Sequence, residues 1–295
     1  MSAPATEVSR RVGRRGFRRL LSKVPPAILI CWALLAVMVL LAIFAPAIAP
    51  HDIRAQSLLN RLRPPAFMGG SPDYWLGTDQ LGRDVLSRAL FALRTTLGIA
   101  AIGTVIGMLL GVTLGVLSGM FGGWFDDVVM FLVDVQMSLP FVLVALTVIA
   151  LLDTSLLVLI LVVGIAGWEI HARVVRGQVL AVKELPFVEA TQALGARHWR
   201  VAVRHVLPNV VSPIIVLTTV NFSYVVLLES ALSFLGLGVQ PPNTSLGAML
   251  GAGRDYMMSN WTLPAIPGLV IVAITMVVSL IGDWLRDVLD PRQRD

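Results

Sequence analysis

Lysine is almost missing from this chain: Lys23 and Lys183 are the only two among 295 residues. Charged residues of all kinds make up 14%, against about a quarter in an ordinary globular domain. Cys31 stands alone inside an apolar run, which excludes an internal disulfide framework and a cysteine metal cluster. A phosphate-cradling loop closes a glycine-rich turn on Lys-Ser or Lys-Thr. Here Lys23 precedes Val24 and Lys183 precedes Glu184, which excludes nucleotide binding of that kind. His51, His171, His198 and His205 include no pair at i, i+4, and there is no Gly-x-Ser-x-Gly elbow. The residues for metal or nucleophilic catalysis are therefore not assembled by any motif, and the chain is not read as an enzyme.

What the chain has in quantity is apolar surface. Hydrophobic residues reach 56% and the mean hydropathy is +0.81, the composition of an all-α polytopic membrane protein. Six apolar runs are long enough for spans: 27–49, 95–120, 127–151, 155–172, 210–236 and 263–285. Arg10, Arg11, Arg14, Arg15, Arg18, Arg19 and Lys23 place the basic terminus 1–26 in the cytoplasm. That start also has the layout of a signal peptide, and Arg14-Arg15-Gly16-Phe17 has part of a twin-arginine pattern. The apolar run exceeds a signal core of about 7–15 residues, and cleavage after Ala49 would set Pro50 beside the cut. Segment 27–49 is therefore read as an uncleaved anchor.

Six spans return the C-terminal segment 286–295 to the cytoplasm. They leave 50–94 and 237–262 outside and put the basic loop 173–209 inside, within a transmembrane core of 95–285. Segment 50–94 fits least well, because it carries Arg54, Arg61, Arg63, Arg83, Arg88 and Arg94. In the second span Gly103, Gly107, Gly111, Gly115 and Gly119 recur every four residues. They form a ridge without side chains against which another helix packs closely; packing inside this bundle is the expected use.

Acidic groups in spans are costly and informative. Asp134 stands near Gln136 and ahead of Pro140, which can kink the third span; Glu229 stands near the outer end of the fifth. Each either lines a solute path or pairs with a neighbouring helix. Asp283, Arg286, Asp287 and Asp290 read as an ion-pair stripe closing the last helix before Pro291.

The stretch "EATQALGARHWRVAVRHVLPN", residues 189–209, is polar and basic. Pro186 suits a first helical position and Gly195 a left-handed cap, so a short helix is expected over about 186–194. Phe187, Thr191 and Leu194 share its less polar face. A second helix is expected over about 197–207, ending at Pro208, with Arg197, Arg200 and Arg204 on one stripe and Trp199, Val203, Val206 and Leu207 on the other. Such a pair could read DNA, lie on anionic headgroups, or serve as a docking element for a soluble partner. Membrane tethering at both ends argues against nucleic acid.

Glu189-Ala190-Thr191, Gly195 and His205-Val206-Leu207-Pro208 reproduce the spacing of a known loop motif, Glu-Ala-Ala, three residues, Gly, nine residues, Ile-x-Leu-Pro. The stretch thus resembles the cytoplasmic loop of ATP-binding-cassette importer permeases, with Thr191 in place of the second alanine and His205 in place of the isoleucine. "LGTDQLGRDVLSRALFALRTTL" (76–97), "LLESALSFLGLGVQPP" (227–242) and "GDWLRDVLDPR" (282–292) extend the likeness to the second permease subunit of dipeptide, oligopeptide and nickel uptake systems. Ser279 stands where that group often has asparagine.

The resemblance implies a six-helix type I importer permease in a bacterial cytoplasmic (inner) membrane. The loop becomes a coupling helix seated in a separate ATPase subunit, resting on Glu189, Ala190, Leu194, Gly195, Arg197, Arg200, Leu207 and Pro208. ATP and magnesium are then bound by that partner, and no cofactor is expected in this chain. A homologous second permease completes the pore, and an extracytoplasmic solute-binding protein delivers a peptide or related solute, such as glutathione or a nickel chelate. The competing expectations are an autonomous ion-coupled transporter using Asp134 and Glu229, and a scaffold that binds a partner without moving solute.

Overall fold

The computed structural model describes residues 24–152 and 154–289; the arginine cluster at 10–19, Lys23, Asp290 and Pro291 lie outside them. Helix α1 (Pro26–Ile43) starts on the pair Pro25-Pro26, where a missing backbone donor goes unnoticed in a first turn. A short α2 (Ala45–Ile48) leads into a turn-rich segment with no long helix. Asp84 then caps α3 (Val85–Phe121), its carboxylate accepting from Ser87 N at 2.8 Å. This helix begins ten residues before the apolar run at 95 because its first turns pack against the turn-rich segment. Its 37 residues give about 55 Å at ~1.5 Å per residue, more than a ~30 Å hydrocarbon core requires.

The expected third span is broken. Helices α4 (Gly123–Ser138) and α5 (Phe141–Leu152) meet at 92° across Leu139-Pro140, where proline removes a donor and clashes with the preceding turn. The fourth is interrupted too, as α6 (Leu156–Ile165) and α7 (Trp168–Lys183) join through Ala166-Gly167. Gly167 has φ of +82°, and a Cβ there would run into the Asn221 side chain. Together these two helices run from Leu156 to Lys183, eleven residues past the expected end at 172. Arg173 and Arg176 are therefore helical residues rather than loop residues.

After α7 come α8 (Pro186–Ala193), α9 (His198–Val201), a π turn (Ala202–Val206), α10 (Leu207–Phe234), α11 (Leu246–Gly253) and α12 (Thr262–Leu289). Among the described residues, five helical segments are long and apolar enough to cross a membrane, six if the bent α4–α5 pair counts as one span. Pro208 does not end a helix as expected. It occupies the first turn of α10, and the π turn before it shifts the hydrogen-bond register, Leu207 N donating to Ala202 O. The missing donor thus falls where no regular bond is lost.

Helix α3 is the hub, touching α1, α4, α6, α7 and α10. Its glycine ridge packs inside the bundle, every member buried. A Cβ on Gly107 would lie 3.0 Å from Ala166 O, and one on Gly115 2.6 Å from Ala172 O. One on Gly111 would meet the Trp168 carbonyl and lie 2.6 Å from the His171 Cβ. The absent side chains are what lets α7 approach the backbone of α3. At the C-terminal end, Asp283, Arg286 and Asp287 form no ion pair among the described residues. They are solvated at the helix end instead of forming the expected stripe.

Candidate functional site

The loop between α7 and α10 is seated by apolar side chains. Val188, Val201 and Val206 are fully buried in one cluster with Val175, Val179 and Val182 of α7 and Val210 and Ile214 of α10. Gly195, with φ of +84°, turns the chain after α8. Ala196 N closes the turn on Thr191 O at 3.3 Å, and Leu194 N donates to Ala190 O at 3.1 Å. A Cβ on Gly195 would meet nothing within 4 Å, so the backbone angle alone demands glycine.

What the loop presents outward is also apolar. Leu194 is 89% exposed and Trp199 61%, with Phe187 and Val203 beside them and the Phe187 ring 6.3 Å from that of His205. The Phe187–Leu194 face expected from sequence thus points away from the bundle, and Val188 is the residue that anchors α8. Arg197, Arg200 and Arg204 are exposed, as are Ala190 and Pro208; Leu207 is half-buried and Glu189 lies on α8. Exposed large apolar groups rimmed by arginines on a firmly seated loop suit a protein partner.

The two helix breaks in the bundle lie side by side, joined by Gln136. Its Nε2 donates to Ile165 O at 3.2 Å and to Glu169 Oε2 at 2.8 Å, while its Oε1 accepts from Trp168 Nε1 at 2.6 Å. Asp134 pairs with Arg173, and Asp126 accepts from Arg176 Nη2 at 2.5 Å and from Ser118. Helices α4 and α7 are therefore cross-linked by charge along their shared face. Trp168, Glu169, Arg173 and Arg176 were not legible as partners, because the pairing is between helices about forty residues apart in sequence.

Glu229 is elsewhere and sealed. It is fully buried, accepting from Ser233 Oγ at 2.7 Å and Thr96 Oγ1 at 3.2 Å. Those hydroxyls themselves accept from Val239 N at 3.2 Å and Leu246 N at 3.1 Å. The carboxyl group thus ends a relay that pins both sides of the 237–246 turn onto α3 and α10. These bonds tie Glu229 to α3 and to its own helix α10. Asp134 and Glu229 are not brought together.

The 49–84 segment and the 237–261 connection form one cap. Asp79 Oδ1 accepts from Leu81 N at 2.8 Å and Arg83 N at 3.0 Å, and Oδ2 from Arg83 Nε at 2.7 Å. Arg88 lies 3.4 Å from the same carboxylate and donates to Thr244 Oγ1 at 3.2 Å. Two of the arginines that fitted poorly in 50–94 thus pack against Asp79, Arg83 half-buried and Arg88 buried, and Arg88 binds the cap to the bundle. Asp79, Arg83 and Arg88 stand in the "LGTDQLGRDVLSRAL" stretch, whose spacing alone did not reveal the cluster.

Comparison with known proteins agrees with this arrangement. Residues 111–295 match the family described as binding-protein-dependent transport system inner membrane component. The chain belongs to this family. Residues 14–65 match the N-terminal TM domain of oligopeptide transport permease C. The di/tripeptide transport system permease protein DppC of Pseudomonas aeruginosa is 37% identical over 259 residues, 88% of this chain and 86% of its own length. The glutathione transport system permease protein GsiD of Pectobacterium atrosepticum is 35% identical over 255 residues, 86% of this chain and 83% of its own.

The inward-facing MetNI methionine ABC transporter superposes with a TM-score of 0.56 at 18% identity. It covers 70% of this chain and 97% of that one, a likeness of fold. The chain is thus a multi-pass permease of a bacterial transport family, as its loop spacing led us to expect. Nothing in these relatives supports the ion-coupled alternative.

Proposed function

We propose that this permease is one of two homologous subunits lining an importer for dipeptides or short oligopeptides in a bacterial cytoplasmic membrane, with both termini cytoplasmic. Separate ATPase subunits bind ATP and magnesium and grip the 186–206 loop. The observation that carries this reading is the seated loop itself, anchored by Val188, Val201 and Val206 while Leu194 and Trp199 stand in the open. A loop fixed to α7 and α10 transmits a push to two spans at once. Glu189, Ala190, Leu194 and Gly195 form the docking turn, with Arg197 and Arg200 beside it. Leu207 and Pro208 pass the movement into α10.

A solute-binding protein would approach the cap formed by 49–84 and 237–261. Asp134 and Gln136 stand at the paired helix breaks and would flank the pathway. Peptide as cargo is supported by relatives named for peptide transport at 34–37% identity.

Reconstitution in proteoliposomes tests the scheme. Peptide uptake should require ATP, the ATPase subunits and the binding protein together. Uptake by the purified permease alone, driven by a proton or sodium gradient, would refute it; partner binding without any flux would leave a scaffold.

A further inference from the structure

We propose that a groove between α1, α3, α10 and α12 holds an acyl chain of an anionic phospholipid, with the lipid phosphate on Arg94. The groove has a volume of about 690 Å³ and walls that are mostly aliphatic, with Leu35, Val39, Leu97, Val105 and Phe222 among them. Arg94 is the one charged residue along it.

Three other arginines on the membrane helices have partners: Arg88 has Asp79, Arg173 has Asp134 and Arg176 has Asp126. Arg94 has no hydrogen bond or ion pair among the described residues, and it is exposed. Arg94 borders the apolar run that starts at 95, the depth at which an arginine meets lipid headgroups, and the groove wall supplies no anion of its own.

The dimensions fit a lipid tail. Arg94 and Val105 stand on one helix about 16 Å apart at ~1.5 Å per residue, close to one leaflet of a ~30 Å hydrocarbon core. His51 N donates to Ser87 Oγ at 3.0 Å, which sets the chain after α1 beside the start of α3, so Ile43 flanks the Arg94 end and Leu35 the deeper end. One turn below Arg94, Gly98 leaves the groove open, a Cβ there meeting nothing within 4 Å. Of the groove's polar side chains besides Arg94, Thr218 and Thr219 already donate to Ile214 O and Ile215 O, which leaves Thr104 for a peptide, most of whose amides would go without partners along these walls. A hydrocarbon chain with an anionic head matches both the apolar wall and the lone cation.

The test is a titration of the purified permease, with the subunits that accompany it, using phosphatidylglycerol or phosphatidylcholine and native mass spectrometry. The wild type should retain phosphatidylglycerol about fivefold or more over phosphatidylcholine, the preference expected of one arginine on an anionic headgroup. Arg94→Gln should erase the preference and Arg94→Lys should keep it. Gly98→Leu should block retention of both lipids without changing subunit composition or melting temperature in lipid-free detergent. Equal retention of the two lipids by the wild type, or undiminished retention in Gly98→Leu, would overturn the proposal. So would efficient cross-linking of Gly98→Cys to a neighbouring permease, which would make the groove a subunit interface.

Discussion

At the scale of single residues, Gly195 and Glu229 show how the same sequence signal divides. Both stood out in sequence, one as a helix stop and one as a charge in a span. Gly195 kept its expected role, because a φ of +84° is a backbone demand that local sequence dictates. Gly195→Ala should cost about 1–2 kcal/mol at the turn and leave partial uptake. Gly195→Pro cannot adopt the angle and should abolish uptake and weaken ATPase co-purification in a protein that still inserts; normal uptake in this variant would sink the proposal that the loop transmits a push to the spans. For Glu229 sequence offered two uses, and it did not name Thr96 and Ser233 as its hydrogen-bond partners. Glu229→Ala should destabilise the cap by about 1–3 kcal/mol through orphaned hydroxyls, read as a lower melting temperature. Glu229→Gln, which keeps an acceptor, should lose less.

At the scale of elements, the glycine ridge was legible in full as a pattern, while its counterpart was not. Four-residue spacing identifies a smooth helix face, but nothing in it names α7 as the helix that fills it. Gly111→Leu should cost about 1–3 kcal/mol or more, because the Trp168 backbone must move. The same change at Gly98 should be tolerated; equal melting temperatures for the two variants would contradict the packing described. The helix breaks divide similarly. Pro140 announced a kink, but its 92° size and its alignment with the Ala166-Gly167 break depend on Gln136 bridging two helices. At Pro208 the local signal misled, since a π turn absorbed the missing donor and the chain ran on as helix.

At the scale of the whole molecule, two specialised ends are joined by long helices. One carries the anchored loop with its outward apolar surface, and the other carries the cap held by Asp79, Arg83 and Arg88. Leu194→Ser combined with Trp199→Ser should abolish ATPase co-purification and uptake. Stability should stay within about 0.5 kcal/mol per site, as for surface positions generally, so a lowered melting temperature matching the lost binding would reassign these residues to the core.

The apolar runs and the loop pattern determined the membrane class and the glycine bend after Pro186–Ala193. These follow from composition and local periodicity, which bilayer thickness and helix geometry translate directly into spans. Tertiary structure alone decided that the less polar face of α8 points outward, that Glu229 is sealed, that Arg88 is paired and that Arg94 is not. Each of those outcomes is a contact between segments far apart in the chain, and the energy of a buried or open charge depends on the partner that the fold brings to it.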